Sequence, residues 1–184
     1  MDLLNKLLLM KELKFSEGRI TLLKHRSFMA TIYLLDAISM FLDENPEITP
    51  KLYRTIRDRV KNKWGDTLVA YYGLSSKDHL QKMFELSSPL GWGKSELIKY
   101  DEVNGEGIFR TFDAPVGVSL KGNLKFFAEH LWRGITAGTA STILKREIDV
   151  IETKCIAQGA DYCEFIFMPS EKAELVKEKF PFQV

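Results

Sequence analysis

The chain has 184 residues, with 26 Lys and Arg against 25 Asp and Glu and a net charge of +1. Its 45% hydrophobic and 28% charged residues suit one well-buried globular core, and six prolines without a Gly/Ser-rich stretch provide no linker to divide it. So balanced a charge gives no field to attract nucleic acid, and no stretch approaches the roughly 18 to 20 apolar residues of a membrane span. Neither a direct nucleic-acid partner nor a membrane is expected, and the chain reads as cytoplasmic.

Residues 1–16 read as an amphipathic helix, with Leu3, Leu7 and Leu8 at helical spacing, and as a possible dimer arm ahead of a single domain over 17–184. Asp2 and the lack of a basic leading region separate it from a signal peptide. A short β-like run over 19–22 follows Gly18. Then Ser27 or Thr31 caps a long helix ending near Asn45-Pro46, whose apolar residues surround much of its girth and predict a central position.

Thr49-Pro50 opens a second long helix, with Leu52, Ile56, Val60, Trp64, Leu68 and Tyr71 or Tyr72 recurring every three or four residues up to Gly73. A third helix starts at Ser76 and stops at Ser88-Pro89. Asn104-Gly105 centres a hairpin over 95–112. A further helix is expected over about 123–144, then strands over 147–157 and 162–168 and a charged helix from Glu171 to Lys179. Helices followed by hairpins predict an α+β fold, an antiparallel sheet of hairpins packed against several long helices.

The last two strands carry both cysteines of the chain. Pairing them about Gly159 sets Cys155 opposite Cys163, where Cβ atoms lie about 4.5 to 5.5 Å apart, with both sulfurs facing the core. Three outcomes fit that geometry: buried inert thiols, a reversible disulfide, or half of a tetrahedral soft-metal site such as zinc. Period-two alternation places Ile151, Thr153 and Cys155 on one face and Glu152 on the other, so a ligand role for Glu152 requires a bulge.

On the preceding helix, His130, Gly134, Ala137, Gly138 and Ser141 share a stripe, which offers His130 as a third ligand or as a core histidine. Glu129 points elsewhere and is spaced to pair with Arg133. Gly134 and Gly138 make a GxxxG spacing, read here as close helix-to-sheet packing.

The runs Gly134-Ile135-Thr136-Ala137-Gly138, Val150 to Cys155, Gly159 and Asp161-Tyr162-Cys163-Glu164-Phe165 closely resemble the 4-vinyl-reductase domain family, over residues 92–168. The earlier strand and long helix are similar to its wider superfamily, which includes Golgi vesicle-tethering subunits and haem-based nitric-oxide sensors. The resemblance implies a small-molecule sensor domain, used in bacterial transcription activators that respond to phenols and also found beside bacteriochlorophyll synthesis. It further implies a structural zinc held by a Glu-x-x-Cys pair, the hairpin's second Cys and a Cys from the preceding helix. Glu152, Cys155 and Cys163 match by position. The helix position holds Glu129, a harder ligand than thiolate, with His130 beside it as a borderline one.

Three functions are consistent with these features. A sensor would admit a hydrophobic or aromatic molecule between sheet and helices, with Phe41, Trp64, Tyr71, Trp92, Phe109, Phe127 and Trp132 as candidate lining and aromatic core filling as the alternative for each. A reductase of a vinyl-bearing tetrapyrrole would need a hydride source, and the chain carries no Gly-x-Gly-x-x-Gly fingerprint and no recognisable acid-base pair. An assembly module of the Golgi-tethering type would form a homodimer through its helices.

Overall fold

A computed structural model describes residues 3–65 and 76–184. In chain order these form α1 (Leu3–Leu9), β1 (Leu13–Ser16), β2 (Arg19–Leu22), β3 (His25–Ser27), α2 (Ile32–Glu44), α3 (Thr49–Val60), α4 (Ser76–Ser87), β4 (Lys94–Asp101), β5 (Glu106–Phe112), α5 (Pro115–Ser119), α6 (His130–Leu144), β6 (Ile148–Lys154), β7 (Cys163–Pro169) and α7 (Ser170–Val176). Helices and two antiparallel sheets make the fold α+β, as the element pattern predicts. The first sheet is the meander β1-β2-β3, and the second has the order β4-β5-β7-β6. Among the described residues no helix is long and apolar enough to cross a membrane.

The N-terminal helix is shorter than the amphipathic pattern implies, because Leu13–Ser16 pairs with Arg19–Leu22 as a strand instead of continuing the helix. Leu7 is buried while Leu8 is exposed. Helix α3 starts at Thr49 with Pro50 in its first turn, as expected, and passes into a π-turn over Lys61–Gly65. The expected continuation toward Gly73, Tyr71 included, lies outside the described residues, as does the Trp64 side chain.

Two packing expectations change. Helix α2 is peripheral, and it turns its polar side inward: Asp36 accepts from the Ser119 hydroxyl (2.7 Å), Ser39 donates to the Ala128 carbonyl (3.4 Å), and Asp43 accepts from the Lys125 and Phe126 amides (2.8 Å each). These residues lie at i, i+3 and i+7, one helical face, and they satisfy the irregular 123–128 backbone. Tyr33, Leu34, Met40 and Phe41 consequently face outward.

The second change concerns the GxxxG stripe of α6. It packs on α3, not on the sheet. A Cβ at Gly134 would lie 2.9 Å from Ile56 Cβ, and one at Gly138 would lie 2.4 Å from the Arg57 carbonyl oxygen and 2.8 Å from Val60 Cβ. The missing side chains are what let the two backbones approach.

Helices α4 and α6 cover the inner face of the large sheet, where Phe109 stacks on Phe165 with centroids 4.7 Å apart and Phe84 sits 4.9 Å from Phe109. The outer edge of β6, which would otherwise leave amides unpaired, is covered by side chains. Ser141 Oγ accepts from the Ile148 amide (2.9 Å), Tyr53 Oη from Val150 (2.8 Å) and Gln183 Oε1 from Glu152 (2.7 Å).

Candidate functional site

The cysteine hairpin is built as its pattern predicts, with one refinement. Strand register runs Ile151↔Ile166 and Glu152↔Phe165, then shifts so that Lys154 pairs with Glu164. The extra residue at this bulge is Thr153, and a single-residue insertion reverses the facing of the residues after it. Glu152 therefore shares the core face with Phe165, Cys163 and Cys155, while Ile151 and Thr153 do not. The strict alternation over 151–155 is thereby corrected.

Glu152, Cys155 and Cys163 present one carboxylate oxygen and two sulfurs, all within 4.8 Å of one another. All three residues are at most 1% exposed. Both cysteines are free thiols and are hydrogen-bonded to each other. The Ile156 amide lies 3.4 Å from Cys163 Sγ, and its position comes from the 3-10 turn of 156–158.

Glu129 ends the irregular stretch as the N-cap of α6, not as a residue on its surface. Its Oε1 accepts from the Gly117 amide at 2.8 Å, and its own amide donates to Glu152 Oε2 at 3.1 Å. Gly117, in α5, lies between the two parts of the cluster: a Cβ there would be 3.3 Å from Cys163 Sγ and 3.4 Å from Glu129 Oε1. The expected Glu129–Arg133 pair does not form, because Arg133 turns the other way. Its guanidinium donates to Gln183 Oε1 and, at 2.6 Å, to the Gln183 carbonyl, and it lies 4.7 Å from the Tyr53 ring centroid.

His130 is buried, and its Nδ1 has no hydrogen-bond partner. Its ligand nitrogens lie outside the Glu152–Cys155–Cys163 group. Burial, and then the Arg133 charge, hold its pKa well below that of ordinary histidine, so it is neutral.

Electrostatically the cluster is an anion trap without a cation. Burial and then the Glu152 charge push Glu129 up to about 8. Burial and then the Cys155 charge raise Glu152 well above the ordinary carboxylate range. A hydrogen bond from Cys163 brings the Cys155 thiol down to about 7, and donating that bond, together with burial, drives Cys163 upward. Glu152 Oε1 is buried without a partner. Two thiols and two carboxyl groups gathered out of water are a donor set that a borderline divalent cation satisfies and that protons alone satisfy poorly.

A cavity of about 630 Å³ opens on the far side of α6. Its walls are Val60 from α3, Met83 and Leu86 from α4, Leu90 and Trp92 from the following turn, and Trp132 and Ile135 from α6, with Arg26, Ser27, Phe28, Arg59 and Ser87 completing the lining. Trp92 and Trp132 stack at 5.4 Å and 18°, and the Trp132 indole N–H donates to Thr111 at 3.2 Å. Of the aromatic candidates whose side chains are described, only Trp92 and Trp132 are among this cavity's lining. Phe109 is fully buried in the sheet core, Phe127 packs partly buried against it, and Phe41 lies on the exposed face of α2. Arg26, Arg59 and the aliphatic wall were not legible as pocket residues, because four separate elements bring them together.

Comparisons with known proteins agree with this architecture. Residues 128–169 match the family model of the 4-vinyl-reductase domain. An uncharacterized protein of Methanocaldococcus jannaschii is 40% identical over 43 residues, and the match spans 23% of this chain and 25% of that protein. Among solved structures, the phenol-responsive sensory domain of the transcription activator PoxR, determined with phenol, superposes with a TM-score of 0.75 at 18% identity, over 96% of this chain and 94% of that one. Trafficking protein particle complex subunit 3 from Naegleria fowleri, covalently bound to palmitic acid, gives 0.54 at 12% identity over 75% and 92%. A vinyl-4-reductase family protein from Methanocaldococcus jannaschii gives 0.51 at 18% identity over 78% and 83%. At these identities the structural likenesses show a shared fold. Matched by the family model across the cysteine hairpin and by the fold across most of its length, this chain belongs to the 4-vinyl-reductase domain family.

Proposed function

We propose that this chain is a sensor domain that binds a hydrophobic or aromatic small molecule in the cavity beside Trp92 and Trp132, and that a zinc ion held by Glu152, Cys155, Cys163 and Glu129 braces the fold. The observation that carries the reading is the role of α6. Its N-cap Glu129 joins the Glu-Cys-Cys cluster, and one turn later Trp132 forms the cavity wall. An apolar cavity of this size with stacked indoles suits a small aromatic body. Likeness to a phenol-responsive domain supports the same class of ligand.

Zinc would supply positive charge at the point where two carboxyl groups and two thiols meet, and would fix the 129–130 turn relative to the hairpin. Glu152 and the two cysteines are the principal donors. Glu129 is the better fourth than His130, since it already contacts Glu152 and is held beside Cys163 by Gly117. Nothing in the arrangement calls for a catalytic step.

The outward apolar face of α2, with Tyr33 at 75% exposure and Phe41 at 53%, continued by Phe28 and Met29, supports a homodimer built on that face. Sedimentation of the native chain against Tyr33→Glu tests it: native dimer and monomeric variant are expected, and a native monomer refutes it.

The sensor reading is tested by titrating phenol and 2-naphthol while following tryptophan fluorescence and melting temperature. Saturable quenching with a raised melting temperature, both lost in Trp132→Leu, is expected. No saturable response to either compound refutes the reading.

A further inference from the structure

The cavity is apolar on its walls but carries two arginines, Arg26 from β3 and Arg59 from the last turn of α3, and no acidic residue among its lining. Most arginines elsewhere in the core or at its edge are committed. Arg57 pairs with Asp149, Arg110 with Glu164, Arg146 with Glu171, and Arg133 with Gln183. Arg26 and Arg59 have no carboxylate partner among the described residues, although they converge on the same apolar space. Two like charges brought to one hydrophobic cavity repel each other unless an anion lies between them.

Accepting the small-molecule reading above, we infer that the natural ligand is an anionic amphiphile: a monocarboxylate whose aromatic or medium-length alkyl body fills the Val60–Met83–Leu86–Trp92–Trp132–Ile135 walls and whose carboxylate is held by Arg26 and Arg59. The planar guanidinium fork matches a carboxylate's two oxygens. A phosphate dianion would call for a cradle of main-chain amides, and the lining offers side chains. Both arginines are solvent-exposed, so their contribution is screened by salt while that of the walls is not.

The test uses two probes with one body, 4-phenylbutyrate and 4-phenylbutan-1-ol, titrated by calorimetry into the full chain and into Arg26→Gln and Arg59→Gln. The native protein is expected to prefer the acid by roughly tenfold at low salt, with the preference shrinking as salt is added. Each variant is expected to lose most of that preference while its affinity for the alcohol and its melting temperature stay near native. Equal binding of acid and alcohol, or a preference that survives in both variants, overturns the anionic-ligand inference and leaves the sensor reading standing. Binding of neither probe overturns both.

Discussion

Replacing Gly138 by alanine adds a methyl group where the Arg57 carbonyl oxygen would be 2.4 Å away, Val60 Cβ 2.8 Å and the Lys61 amide nitrogen 2.9 Å. Two of these three neighbours are backbone, so no rotamer change relieves the overlap and α3 must move away from α6 by about an ångström. Overpacking of this kind costs about 1 to 3 kcal/mol and more where backbone is involved. The intrinsic helix preference of alanine over glycine returns about 1 kcal/mol. A net loss of about 2 kcal/mol should lower the melting temperature by about 4 to 8 °C in a chain of this size, measured calorimetrically or from urea midpoints. Gly134→Ala should cost less, because its nearest obstacle is the Ile56 side chain at 2.9 Å, which can shift. Arg59 and Val60 on α3 and Trp132 and Ile135 on α6 line one cavity, so Gly138→Ala should also weaken binding there. A variant more stable than the native protein, as helix preference alone would give, would refute the close-packing argument.

Tyr53→Phe removes the hydroxyl that donates to Asp149 (2.9 Å) and accepts from the Val150 amide. A buried carboxylate and a buried amide each lose a partner, and a loss of about 2 to 4 kcal/mol in urea unfolding is expected. Gln183→Ala frees the Glu152 amide and carbonyl and leaves the Arg133 guanidinium short of an acceptor, so amide exchange at Glu152 should accelerate by at least about tenfold relative to Val150. For Glu129→Gln in metal-free protein the sign follows from its raised pKa. The native glutamate supports folding in its protonated form below the ordinary value of 4.5 and loses that contribution as pH rises toward about 8. The glutamine variant should therefore match native stability near pH 4 and exceed it, by on the order of a few kcal/mol, at pH 8. With zinc present the order reverses, because the metal needs the ionised carboxylate, and zinc affinity of the native chain should rise with pH across the same window.

The elements whose signals are local were legible from sequence. Thr49-Pro50 marks the start of α3, Asn104-Gly105 the β4–β5 turn, and the two cysteine strands pair about Gly159 as their spacing requires. The bulge at Thr153 enters the sequence reading only as a condition for Glu152 to join the cysteines, since nothing in residues 151–155 encodes a register shift except the need to bury Glu152 beside Phe165. Helix α6 begins at His130, not near Asn123, because Asp43 of α2 binds the Lys125 and Phe126 amides and holds 123–128 out of helical conformation. That contact spans about eighty residues and leaves no trace in the local pattern. Helix α2 misleads for the same reason. Its hydrophobic content predicts burial, but the partners of Asp36, Ser39 and Asp43 lie far along the chain and decide which side turns inward. Gln183 carries no signal at all, as its importance comes from covering the β6 edge.

The most direct test of a zinc-braced sensor is native mass spectrometry of the chain as purified, set beside Cys163→Ser, with elemental analysis of both. One zinc per native chain is expected, together with a small organic species released on denaturation, and the variant should lose the zinc and melt at a lower temperature. A native chain that carries neither metal nor organic ligand, takes up no added zinc, and melts at the same temperature as Cys163→Ser would contradict that assignment.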